Sequence, residues 1–302
     1  MRKSLSLLTV VLLMQNPALA DTLKFPDGAI YEGTVANNQA NGKGVYLWPS
    51  GNRYEGDFVN GLRTGKGVYV WRSGNRYEGD FLNDSRTGKG IYIWTNGNRY
   101  EGDFVNGEIT GKGKFTYSNN DRYEGDLVKE VRSGKGTLVT ANGDRYEGDW
   151  VNNQATGKGL KVLGKGKSEG DRYEGDFING QLTGKGNYIA ANGDRYEGEF
   201  ENDQFMGNGA LTYANGDHYE GEWRKSQIDG KGTKIWKSGK WQGDRYEGEW
   251  VNGQISGKGE YIYANGTRNN GDWANGEFIN GTVFNKDGEV LATYEGGKKL
   301  RQ

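Results

Sequence analysis

Asn52-Arg53-Tyr54-Glu55-Gly56-Asp57-Phe58-Val59-Asn60-Gly61-Leu62-Arg63-Thr64-Gly65-Lys66-Gly67-Val68-Tyr69-Val70-Trp71-Arg72-Ser73-Gly74-Asn75 decides the fold. It holds two short runs of period-two alternation, Arg53 to Phe58 and Gly65 to Trp71, bounded by turn residues. Runs of this kind read as strands, and neither is long enough for a helix. Outward from this stretch, Tyr-Glu-Gly returns every 23 residues at Tyr31, Tyr54, Tyr77, Tyr100, Tyr123 and Tyr146, and again at Tyr173, Tyr196, Tyr219 and Tyr246. Two intervals, 146 to 173 and 219 to 246, are four residues longer. A fixed period of this size marks a repeat architecture.

Each repeat reads as one β-hairpin, and successive hairpins extend one antiparallel meander. Asn96-Gly97, Asn142-Gly143 and Asn192-Gly193 fall between repeats, where a tight turn with positive φ at both central residues is expected. The connection around Asn60 to Thr64 is expected to be the longer one. Alternation places Tyr54, Gly56 and Phe58 on one face, with Gly56 near Gly67 and Tyr54 near Tyr69. The glycines leave room for rings to lie over the backbone. In the same register Asp57 stands opposite Lys66. Ten hairpins of about 4.8 Å per strand give roughly 90 Å of sheet, which is expected to twist. The expected class is all-β: an elongated, twisted, single-layer antiparallel meander of about ten β-hairpins with no separate catalytic domain.

Composition agrees with this reading. The chain has 302 residues, with 53 Gly, a hydrophobic fraction of only 33% and no Cys. Two compact cores would need more aliphatic residues, and 13% aromatics is too many for a disordered tail. Without Cys there is no disulfide, thiolate nucleophile or Cys-based metal site. The formal net charge of −1 gives no general pull toward nucleic acid.

The first 20 residues have a different character. Arg2 and Lys3 precede the apolar run Leu5 to Met14, and Ala18 and Ala20 stand before Asp21. This is the pattern of a cleavable secretory signal, cut after Ala20. Its compactness suits a bacterial envelope, so the mature chain is expected in the periplasm or outside the cell. The expected division is a signal at 1–20, repeats over 21–274, and an atypical C-terminal cap with a short basic tail over 275–302.

The unit Tyr-Glu-Gly-Asp-Phe-x-Asn-Gly-x-x-x-Gly-Lys-Gly-x-Tyr-x-Trp-x-x-Gly-Asn-Arg resembles the MORN repeat, from about Phe25 to Trp273. The resemblance implies a single twisted sheet of hairpins. It also implies a non-enzymatic scaffold that binds proteins, often itself; phospholipid binding is a second implication. Some relatives carry a catalytic domain beside the array, but no stretch of this chain is long enough for one. The eleventh copy departs from the pattern, with Asn269-Asn270-Gly271 in place of Tyr-Glu-Gly.

Candidate chemistry is thin. Gly61 to Gly67 has one residue too few for a phosphate loop, and no Ser or Thr follows Lys66. The Asp and Glu rows lack calcium-loop spacing. Ten equivalent carboxylate pairs describe a scaffold better than a glycosidase site, so a hydrolase is the least favoured class. His218 is the only histidine and takes the place of an arginine in sibling copies. No catalytic, cofactor or metal residue is assigned.

The exceptions to the repeat are more informative. Tyr46, Trp48, Tyr69, Trp71, Tyr92 and Trp94 form an N-terminal aromatic ladder that later copies lose, as at Thr140, Leu163 and Ala190. The ladder either covers neighbouring glycines or binds a partner. The two four-residue insertions carry Lys165, Lys167, Lys237 and Lys240 in longer basic loops. The expected partners are a protein, including a second copy of the chain, or else a phospholipid or envelope-glycan surface; nucleic acid is not expected.

Overall fold

A computed structural model describes residues 21–300; the expected signal segment lies outside the described residues. The chain divides into two compact units, residues 1–95 and 96–302. The described part of the first holds strands β1 (Asp21–Lys24), β2 (Ile30–Ala36), β3 (Gln39–Leu47), β4 (Arg53–Val59), β5 (Leu62–Val70), β6 (Arg76–Leu82) and β7 (Ser85–Ile93). The second runs from β8 (Arg99–Val105) to β25 (Lys298–Lys299), with one 3-10 turn at Gly239–Trp241. Within each unit consecutive strands pair antiparallel, as in β2–β3, β3–β4 and β4–β5. The fold is therefore all-β, a meander of hairpins, one per repeat.

The core of each unit is a column of rings. Tyr31, Tyr54 and Tyr77 in the first unit, and Tyr100, Tyr123, Tyr219 and Tyr246 in the second, have no exposed surface. Each ring lies over a pair of facing glycines. The Tyr54 ring covers Gly56 and Gly67, which are direct cross-strand partners. A Cβ on Gly67 would stand 2.3 Å from the Tyr54 hydroxyl oxygen, so no other residue fits there. The Tyr54 hydroxyl donates to the Asp57 carbonyl at 3.2 Å, and Tyr77 repeats this with Asp80 at 2.9 Å. Phe58 and Phe81 meet the Tyr54 ring edge-on, at centroid distances of 5.1 and 5.0 Å. That geometry is favourable for aromatic quadrupoles and seals the ring from water.

The register follows the sequence reading through the glycines and then departs from it. Tyr54 faces Tyr69 and Gly56 faces Gly67, as alternation requires. Between Gly56 and Asp57 the ladder shifts, so Asp57 faces Thr64 rather than Lys66. Gly65, at φ +58, absorbs the extra residues. The expected Asp57–Lys66 side-chain pairing is thus corrected. The Asp57 carboxylate accepts the Lys66 backbone N–H at 3.2 Å, and its ion pair is with Lys43 of the preceding hairpin at 2.9 Å. Lys66 reaches forward to Asp80 at 2.6 Å. Lys112–Asp126 and Lys135–Asp149 repeat the link in the second unit. These pairs are exposed and each contributes about 0–1 kcal/mol, so they tie hairpin to hairpin without dominating stability.

The turns are also exchanged relative to expectation. The two-residue turn with positive φ at both centres is Asn60-Gly61, at +49 and +79, which lets β4 run directly into β5. The connections between hairpins are longer. At the first, Gly51 donates to the Trp48 carbonyl, Trp48 donates to Asn52, and only Gly51 has positive φ. A single left-handed residue after a turn suits this wider loop, whereas a two-residue loop needs two.

Two outcomes follow. Gly67→Ala should destabilise by about 2–4 kcal/mol because the Tyr54 ring must leave its seat, whereas Gly61→Ala, with nothing within 4 Å, should lose only about 1 kcal/mol of backbone strain. Urea titration of both variants checks the contrast. Burial pushes the hydroxyls of Tyr54, Tyr123, Tyr146 and Tyr246 up to about 12. The folded chain therefore holds these protons where the unfolded chain has released them, and the resulting stability is complete below pH 10. It should fall between about pH 10 and 12, with the phenolate absorbance of the seated tyrosines appearing together with loss of β circular dichroism; the full phenolate absorbance of all 19 tyrosines from an intact sheet would contradict the buried seats.

Candidate binding face

The six ladder residues are brought together in the first unit. They extend a continuous ribbon of rings from Phe25, partly exposed except for the buried Tyr69: Phe25–Tyr46 at 5.3 Å, Tyr46–Trp48 at 4.4 Å, Trp48–Tyr69 at 5.4 Å, Tyr69–Trp71 at 4.5 Å, Trp71–Tyr92 at 5.2 Å and Tyr92–Trp94 at 4.4 Å. The ribbon exists because each Trp sits at the mouth of an inter-hairpin loop. Trp48 and Trp71 each close that loop by two backbone hydrogen bonds. The Asn52 side chain then accepts the Arg72 N–H at 2.9 Å, and Asn75 accepts that of Thr95 at 3.0 Å, which locks each loop to the next. The tryptophans are thus held by backbone geometry. The tyrosines between them lie beside the buried seats; burial and the charge of Asp27 push the Tyr46 hydroxyl pKa up.

Arginine enters this face at a position the sequence reading did not single out. Arg63 places its guanidinium 5.6 Å from the Trp48 ring centre, 5.2 Å from Tyr69, 5.7 Å from Tyr54 and 5.6 Å from Phe81. It is fixed by Asp84, through Nε to the carboxylate at 2.7 Å and through Nη2 to the carbonyl at 3.1 Å. Arg86 repeats the arrangement over Trp71 and Tyr92, at 5.6 and 5.3 Å. In other hairpins this position is an aliphatic residue such as Ile109, Leu182, Ile228 or Ile255, all buried, and in one it is Arg132, which lies 4.4 Å from the Trp150 ring centre. Alignment of the copies alone would have flagged the arginines, because cations replace aliphatic side chains at a core register.

The basic loops lie in the second unit and are separate features of it. Lys165, Lys167, Lys237 and Lys240 are exposed. Lys240 stands 5.7 Å from the ring of Trp241, which is itself 52% exposed. Each insertion is anchored by a buried carboxylate: Asp171 accepts from the Tyr188 hydroxyl at 2.7 Å, and Asp244 from Tyr261 at 2.6 Å. The repeats bearing the insertions also place Lys161 and Lys234 where siblings have rings. Lys234 lies over Tyr213 and Trp236, and burial lowers its pKa.

A row of aliphatic side chains was also missed. Val105, Val128, Val151 and Ile178 occupy one position in four consecutive hairpins of the second unit and are 50–58% exposed. They point away from the ring core, since the residue before each is buried. His218 keeps a local role, with Nδ1 2.9 Å from the Thr212 hydroxyl. Among the described residues no group of three or more His, Cys, Asp or Glu is placed to hold a metal ion.

Among solved structures, the chain is similar to the TCP10 domain of Danio rerio CPAP in complex with a peptide of Danio rerio STIL, at 10% identity over 91% of this chain and 99% of that chain, with a TM-score of 0.37. It is also similar to the TCP10c domain of Drosophila melanogaster Sas-4, at 12% identity over 53% of this chain and 93% of that chain, with a TM-score of 0.33. No curated protein matches the chain. The MORN repeat matches ten times in tandem, over residues 31–168, 173–241 and 246–268. With the period, the hairpin meander and the tyrosine seats all in place, this chain belongs to the MORN repeat family.

Proposed function

We propose that this chain is a non-enzymatic scaffold of the bacterial cell envelope or exterior that binds a protein partner along the aromatic ribbon of its first unit. MORN repeats are protein- or lipid-binding modules. The observation that carries the protein reading is the ribbon itself, with Arg63 and Arg86 set among Trp48, Tyr69, Trp71 and Tyr92. Trp, Tyr and Arg are the residues that dominate protein-binding energetics, because they bury large rigid surface and keep a polar handle. The signal-like N-terminus supports the envelope location.

A lipid surface read by the Gly-Lys-Gly row is less well supported. Lys43, Lys66, Lys112, Lys135 and Lys158 are each paired with the aspartate of the following hairpin. A lysine already neutralised adds little attraction for an anionic headgroup. Self-association is favoured by a different observation, the exposed row Val105, Val128, Val151 and Ile178.

Replacing Trp48, Trp71 and Trp94 together with Ala should abolish capture of an envelope protein while leaving the buried tyrosine column and the β spectrum in place. Unchanged capture would remove the ribbon from the binding role. Light scattering of the mature chain should give a mass above that of one chain if the aliphatic row joins two copies, and Val128→Asp with Val151→Asp should return it to a monomer.

A further inference from the structure

Near the end of the second unit a lysine takes the place of a ring. Tyr213, Lys234, Trp236, Tyr261 and Tyr263 stand at the repeat positions that hold rings along the first-unit ribbon. The Lys234 Nζ lies 5.5 Å from the Tyr213 ring centre and 5.2 Å from that of Trp236. Trp236 continues to Tyr261 at 5.6 Å, and Tyr261 to Tyr263 at 4.7 Å. Tyr261 is buried; Tyr213, Lys234 and Trp236 are half-buried, and Tyr263 is 36% exposed. The loop that follows adds exposed Lys237 and Lys240, and Trp241 at 52% exposure.

The two rings attract the Lys234 ammonium and hold its stem extended, but a ring face does not replace an acceptor for its N–H donors. Among the described residues Lys234 forms no hydrogen bond and no ion pair. The carboxylates of the neighbouring loops are already engaged. Asp217 accepts the Lys237 N–H at 2.8 Å, the Asn215 amide at 3.1 Å and the Ser238 hydroxyl at 3.4 Å. Asp244 accepts the Tyr261 hydroxyl at 2.6 Å and the Ala264 N–H at 2.8 Å. Burial pushes the Lys234 pKa down even with the charge of Asp217 nearby. Arg268 Nε is the one sealed side-chain polar atom without a partner among the described residues, so the unpaired Lys234 ammonium is reachable from solvent. A half-buried cation without an acceptor is costly in the free chain, and an incoming anion removes that cost. Lys161 supplies the contrast. It holds the same position in the other inserted repeat, with Thr140 and Leu163 where Lys234 has Tyr213 and Trp236.

We infer that the face formed by Tyr213, Lys234, Trp236 and Tyr263 is a second docking site, and that it takes a peptide segment whose carboxylate side chain is flanked by apolar residues. The carboxylate meets the Lys234 ammonium from outside, and the apolar neighbours lie on the rings to either side. One ammonium set between rings selects an anion embedded in apolar surface. The site lies wholly within the second unit and does not depend on the tryptophans of the first.

The test uses the full mature chain, labelled for NMR at its lysine side chains, and two capped peptides that differ only in charge, Gly-Leu-Glu-Leu-Gly and Gly-Leu-Gln-Leu-Gly. Calorimetric titration should show the Glu peptide binding at least about tenfold tighter than the Gln peptide. The Glu peptide should also shift the Lys234 signal and move deprotonation of that amine to higher pH, because a bound carboxylate stabilises the ammonium. Lys234→Met, which keeps an apolar stem between the rings, should erase the difference between the peptides. Lys161→Met should preserve it, and so should the chain in which Trp48, Trp71 and Trp94 are replaced with Ala. Equal affinity of the two peptides, no binding, or loss of the difference in either control variant overturns the inference, and the wild-type comparison needs no variant to fold. Phosphatidylglycerol vesicles give the remaining arm: a Lys234 signal that moves with vesicles and not with the Glu peptide assigns the lysine to a lipid surface and overturns the peptide site.

Discussion

Nine of the described hairpins depend on one contact, a tyrosine ring laid flat over two facing glycines with its hydroxyl bonded to a carbonyl three residues on. The contact is possible only because neither glycine has a Cβ. It explains why a chain with 33% hydrophobic residues can fold: the sheet has no second layer, and the rings themselves are the core. Edge-on phenylalanines or tryptophans from the same hairpin and the next close each seat, as Phe58 and Phe81 do around Tyr54 and Trp150 and Phe177 do around Tyr146. Stability therefore passes from neighbour to neighbour, as in other repeat arrays.

The one tyrosine that departs from its seat shows how local this contact is. Tyr173 is only half-buried and lies 4.7 Å from Tyr188, and neither Gly175 nor Gly186 has its ring against it. It follows the first insertion, where Asp171 draws the Tyr188 hydroxyl to itself. The strands around it pair as in every other copy, with Gly175 opposite Gly186. The backbone ladder and the flanking hairpins hold the frame when one ring is lost. That tolerance lets individual copies diverge into loops, cationic positions and exposed rows without disturbing the array.

Much of the fold was legible because alternation and period are local properties. The strands, the shared face of Tyr54, Gly56 and Phe58, and the glycine pairing all follow from side chains alternating along an extended backbone. What lay beyond the glycines was not legible. The shift that sends Asp57 opposite Thr64 is a bulge at Gly65 and Lys66, and alternation along one strand does not report a bulge in its partner. The turns were misassigned for a related reason: Asn-Gly occurs at both connections, and only the strand lengths decide which loop has two residues. At the binding face the tryptophans were visible as a break in the repeat. Arg63 and Arg86 were visible only on lining up the copies, where they replace aliphatic residues, and their place among the rings came from the structure.

The sequence by itself determined the architecture, since a 23-residue beat of Tyr, Gly and turn residues admits one hairpin per copy and gives each copy the same core face. Only the tertiary structure decided which lysine meets which aspartate and that the ladder rings join into one ribbon. It also decided that two arginines stand within that ribbon. These are relations between neighbouring hairpins, set by how a ring, a glycine pair and a loop fill the space between strands, and that space exists only once the sheet has formed.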